Sequence, residues 1–153
     1  MKSKTRNRLV KKIQTKKKKP RKEFVITNKE KSNIIKVYFE LLHAIKLYHW
    51  KTKSYAQHKS TDELHDKLSQ QMDRFIEVLM GKTSSRIDMV EQKMNLYDFD
   101  NKEEFQHKLF EFRQFLIDLD HVLVQPRDND LFTIRDEMLE SVNQFLYLIT
   151  LDK

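Results

Sequence analysis

From Thr27 onward, apolar residues recur at intervals of three and four, the period of helices that bury one face. Thr27-Asn28-Lys29-Glu30 has the form of a capping box, and Ile34, Ile35, Tyr38, Leu41, Leu42, Ile45 and Tyr48 carry the first stripe to about Trp50. A second stripe of Leu64, Leu68, Met72, Phe75 and Leu79 predicts a helix from about Ser54 or Ser60 to Met80, with Gly81 placed to end it. Residues 82–100 form a connector with room for a short helix around Arg86–Leu96. Asn101 followed by Glu104 marks another N-terminal cap. Phe105, Leu109, Phe112, Leu116, Leu119 and Leu123 then make the clearest stripe of the chain, until Pro126 with Asp128-Asn129-Asp130 turns it. A last helix from about Asp130 carries Ile134, Met138, Val142, Phe145 and Ile149.

Four helices with one longer connection in the middle predict an all-α chain, a ferritin-like four-helix bundle. A bundle with no site has the same periodicity. Composition narrows the chemistry. The single Gly and two Pro argue against an all-β fold and leave no glycine-rich phosphate loop. With no Cys there is no disulfide or thiol chemistry, so a bound metal must use His, Asp and Glu, which favours iron, manganese or zinc. No apolar run approaches the ~18 residues of a membrane helix. The start of the chain lacks the apolar stretch of a secretory signal, so the expected location is intracellular, in cytoplasm, nucleus or nucleoid, or packaged in a virion.

The net charge of +7 hides an asymmetry. Lys2, Lys4, Arg6, Arg8, Lys11, Lys12, Lys16, Lys17, Lys18, Lys19, Arg21 and Lys22 all lie in residues 1–22, which hold no acid. The rest of the chain is acidic by five. Such a run repels itself and has little to bury, so residues 1–24 are expected to be a disordered basic tail and residues 25–153 the bundle. Phosphate contact with nucleic acid explains the tail, as does an import signal centred on Lys16-Lys17-Lys18-Lys19-Pro20-Arg21-Lys22; a solubilising tail without a partner is the plainest alternative. No aromatic residue interrupts the basic run, so binding there is expected to be blind to sequence.

The second helix carries His58, Asp62, Asp73 and Glu77. At ~100° per residue they project to about 0°, 40°, 60° and 100°, beside an apolar stripe centred near 290°. Ligands for a site in the bundle centre would lie on the stripe itself, so this arc points to a flank that another subunit covers. His49 follows Leu42 by one heptad and Ile35 by two, which turns it inward near the end of the first helix. Two imidazoles and three carboxylates suit ferrous iron, and a cation relieves the repulsion of clustered acids. A polar face with hydrogen-bonded histidines accounts for each residue taken singly.

Taken together, His49-Trp50 and the spacing His58-x3-Asp62-x10-Asp73-x3-Glu77 resemble the Dps group, DNA-binding ferritin-like proteins of starved bacteria. The stretch from His49 to His58 is even more similar to a branch of ferritin-like proteins in phages and large DNA viruses. The resemblance covers residues 30–82 in detail. It implies a hollow homo-oligomer of twelve subunits with iron sites at two-fold interfaces. There His49, His58 and Asp62 of one subunit would meet Asp73 and Glu77 of its neighbour. It also implies oxidation of Fe(II) by peroxide or oxygen, mineral storage inside the shell, and a basic tail that holds DNA. The link from His49 to His58 is three residues shorter than the bacterial pattern and lacks its Gly, which bears on the place of His49 and on oligomer size.

Glu40-x2-His43 and Glu104-x2-His107 mimic the Glu-x-x-His element of other di-iron bundles, but His43 falls on a rim line and Glu104 in a first helical turn. His65 shares the arc of His58, as a solvated residue or a partner behind the ligands. Trp50 reads as a packing residue against a partner subunit. Against the iron-oxidising reading stands a nucleic-acid-packaging protein that keeps the fold and has little iron chemistry.

Overall fold

The computed structural model describes residues 26–151, and the basic residues expected to meet nucleic acid lie outside the described residues. Within them the chain forms α1 (Asn28–Lys51), α2 (Tyr55–Thr83), α3 (Lys102–Asp118) and α4 (Asn129–Leu148), with short 3₁₀ turns after α3 and α4. Local chemistry sets three of the starts. Thr27 Oγ1 accepts from Glu30 N–H at 3.2 Å while Glu30 Oε2 accepts from Thr27 N–H at 2.7 Å, a closed capping box. Ser54 and Asn101 cap α2 and α3 by accepting from Gln57 and Glu104 N–H at 3.2 and 2.9 Å. Asp128 instead accepts from Val124 N–H at 2.8 Å and so fixes the turn that precedes α4.

The four stripes meet in one core. Phe75, Phe105, Leu68, Leu79, Leu109, Leu116, Leu131 and Met138 are fully buried, and Tyr38 stands edge-on to Phe75, Phe112 and Phe115 at 5.9 to 6.3 Å. Each large apolar side chain so buried contributes about 1.5–3 kcal/mol of transfer free energy before entropy is counted. Side-chain pairs give the directions. Lys46–Asp62 with Lys31–Thr83 makes α1 antiparallel to α2, Lys67–Gln144 with Lys82–Asp130 makes α2 antiparallel to α4, and Tyr48–Phe105 with Tyr38–Phe115 makes α1 antiparallel to α3. The chain therefore runs up, down, down and up, with its one long crossover between α2 and α3, the connectivity of ferritin-like bundles.

That crossover differs from the sequence expectation: no helix forms over residues 86–96. The connector lies along α1, and α1 side chains take the backbone donors that a helix needs internally. Ser32 Oγ accepts from Val90 N–H and Glu40 Oε1 from Asn95 N–H, both at 2.9 Å, while Lys51 Nζ holds Asp98 and Asp100 at 2.7 and 2.9 Å. Glu40 is thus committed to the connector, and Glu104 accepts from Asp100 N–H at 3.3 Å beside its own helix cap. His43 and His107 are exposed. Two helix ends also shift. Gly81 does not stop α2, which continues to Thr83 and ends at Ser84 with φ 48°. There Lys31, buried at 2% exposure, donates to Thr83 Oγ1 and Ser85 Oγ, a cation at the helix end where carbonyls accumulate. The α3 helix ends at Asp118, and Leu119 and Leu123 are buried from the 3₁₀ turn and the loop that follow.

Candidate metal centre

The turn between α1 and α2 brings His49 against His58. Their rings stack at 3.9 Å between centroids, tilted by 23°. His49 Nδ1 lies 2.9 Å from the carbonyl oxygen of His58, and His58 Nδ1 lies 3.1 Å from that of His49. A carbonyl can only accept, so in each neutral ring Nδ1 carries the proton and Nε2 the lone pair. Thr61, fully buried, closes the arrangement with its Oγ1 at 3.2 Å from His49 Nδ1. This reciprocal lock fixes tautomer and orientation together, which is how carbonyls behind metal-bound imidazoles act. His49 is buried and His58 exposed, so the pair spans from the interior to the surface.

Asp62 stands next to the pair, with Oδ1 at 3.8 Å from His49 Nε2. Lys46 donates to the same oxygen at 3.2 Å. That bond, with the charges of Lys46 and Lys59, holds the Asp62 carboxyl below the usual carboxylate range. Lys46 and Thr61 were not among the residues singled out from the sequence. Lys46 precedes His49 by three and Thr61 follows His58 by three, so helical neighbourhood was the available signal.

Asp73 and Glu77 lie elsewhere in the same chain. At 1.5 Å per residue, Asp73 sits ~16 Å along α2 from Asp62, and Glu77 one turn further. Asp73 borders a largely apolar groove of about 420 Å³ with Ile35, Phe39, Leu42, Ile76 and Ile87. Glu77 borders a separate concavity with Met80, Ser84, Ser85 and Arg86. Both acids are exposed, and neither forms an ion pair or side-chain hydrogen bond among the described residues. Accordingly, no group of three or more His, Asp or Glu among the described residues of one chain is close enough to hold a metal ion. The structure sets His49 against His58 and beside Asp62, and leaves Asp73 and Glu77 apart. His65 is half-buried, its Nδ1 at 3.5 Å from Asp66, and Trp50 is exposed on the single chain.

A family model described as a family of unknown function, DUF5856, covers residues 49–149, so its segment begins at His49 and takes in α2, the connector, α3 and α4. No curated protein and no solved structure matches the chain.

Proposed function

The chain belongs to DUF5856, a family of unknown function, and from its residues we propose that it is a Dps-like protein that binds and oxidises Fe(II) at sites shared between subunits, with nucleic acid held by the basic tail. The reciprocal His49–His58 lock carries the reading. Two imidazoles of fixed tautomer beside a carboxylate suit a borderline cation such as Fe(II), and the α2 flank below them bears two exposed acids with no partner among the described residues. One chain supplies only part of a ligand set. In a two-fold pair of antiparallel α2 helices, Asp73 and Glu77 of one subunit meet His49, His58 and Asp62 of the other, and the same contact makes two identical sites. Iron is the substrate. Two Fe(II) ions give two electrons to one peroxide, which takes up two protons and leaves as two waters; the two Fe(III) ions remain for storage in a closed homo-oligomer. Lys46 already pairs with Asp62, so an entering ion displaces its ammonium.

The test is Fe(II) oxidation by purified full-length protein in the presence of peroxide. Wild type should outpace buffer, and His58→Ala with Asp73→Ala should return the rate to that of buffer while the far-UV helix signal stays unchanged. Equal rates for wild type and double variant sink the site. The Lys46–Asp62 pair also favours a second reading, a nucleic-acid-packaging bundle with little iron chemistry, because that pair leaves Asp62 neutralised without any metal. Elemental analysis of the native particle separates the two.

A further inference from the structure

Residues 50–61 contain no Asp or Glu, although the chain beyond its basic tail is acidic on balance; they hold Lys51, Lys53, Lys59 and His58. Two aromatic rings project from the same turn, Trp50 at 68% and Tyr55 at 79% exposure. Two exposed rings five residues apart, rimmed by polar side chains, offer a surface for contact. Lys51 is spent on Asp98 and Asp100. Lys53 and Lys59 form no ion pair among the described residues, and Lys59 follows Tyr55 by one helical turn.

We propose that this turn binds single-stranded nucleic acid, with bases stacked on Trp50 and Tyr55 and flanking phosphates met by Lys53 and Lys59. Every base has a π-face, so exposed rings next to unpaired cations make a sequence-tolerant platform, and only an unpaired strand offers its bases to them. The lysines beside the rings favour a phosphate backbone over a second copy of the chain as the occupant. The inference uses none of the proposed iron ligands. It is also distinct from the tail, since α1 places the turn ~36 Å from the point where the tail enters.

Trp50 is the sole tryptophan of the chain, so its emission reports this turn alone. Full-length protein is titrated at fixed salt with a thymidine oligonucleotide and with a duplex of equal length. The single strand should quench Trp50, and the duplex, held by charge, should leave the emission nearly unchanged. Tyr55→Ser should weaken the binding read from that quenching by at least about fivefold. Lys53→Gln with Lys59→Gln should reduce the log–log salt slope by about 1.4. No quenching at saturating single strand overturns the proposal, as does equal quenching by duplex or by a polyphosphate chain, which would reflect charge alone. Trp50 emission already shielded from a small quencher in the protein by itself, and unaffected by the strand, would assign the turn to a contact between copies and overturn the proposal as well.

Discussion

The two flanks of α2 are built on opposite plans. On the flank that meets α4, polar groups have partners inside the chain: Gln71 donates to Ser141 Oγ at 3.0 Å, Arg74 pairs with Glu137, and Lys82 holds Asp130 at 2.8 Å. On the flank beside α1, matched groups sit at the two ends, His49, His58, Lys46 and Asp62 at the turn and Lys31 with Thr83 at the far end; between them, Asp73 and Glu77 are exposed and unmatched among the described residues. Both flanks border the same apolar stripe. Core packing therefore does not explain the difference. A side chain closed by an intrachain partner contributes to stability, whereas an unmatched acid on a helix flank is open to a cation or to another chain.

Substitutions that grade from the stripe to the open flank sharpen this contrast. Leu68→Ala, at a fully buried position, should cost about 2–5 kcal/mol in urea unfolding, because the cavity adds to the lost transfer term. Acid should act through the loop before α4. Burial works to raise the Asp128 carboxyl, but the Arg127 bond, the Val124 N–H and the Lys82 charge outweigh it and hold the group below the usual carboxylate range. A depressed carboxylate contributes stability that is complete above its unfolded value, about 3.9, and is lost as pH falls through the folded value. The difference in melting temperature between wild type and Asp128→Asn should therefore narrow as pH falls from about 6 to about 3; a constant difference refutes the assignment.

Smaller effects are expected on the flanks themselves. Gln71→Ala should lose about 0.5–1.5 kcal/mol, the net worth of hydrogen bonds within the chain. Asp73→Asn with Glu77→Gln should stay within about 0.5 kcal/mol of wild type in the unassembled chain. A loss as large as that of Leu68→Ala would show that the open flank has a structural task inside the chain.

The legible part of the molecule was the part governed by periodicity. Leu64, Leu68, Met72, Phe75 and Leu79 are buried as their spacing required, and the caps at Thr27, Ser54 and Asn101 open their helices. What escaped depends on contacts distant in sequence. The connector gives up a helix because Ser32 and Glu40, more than fifty residues earlier, take its amide donors. Gly81 yields to Lys31 and Thr83. At the candidate site, spacing placed His58 and Asp62 on one face, but it could not show that each imidazole is locked by the other residue's carbonyl or that Lys46 already sits on Asp62.

The central claim is that the histidine end of one chain works with the acid end of another, and co-assembly of two inactive variants tests it most directly. His58→Ala chains and Asp73→Ala chains should each fail to accelerate Fe(II) oxidation. Refolded together, a mixed pair regains one intact site from the unaltered histidine of one chain and the unaltered acid of the other, so random pairing should restore about one quarter of wild-type activity. A mixture as inactive as its components, or single variants as active as wild type, would contradict the shared site.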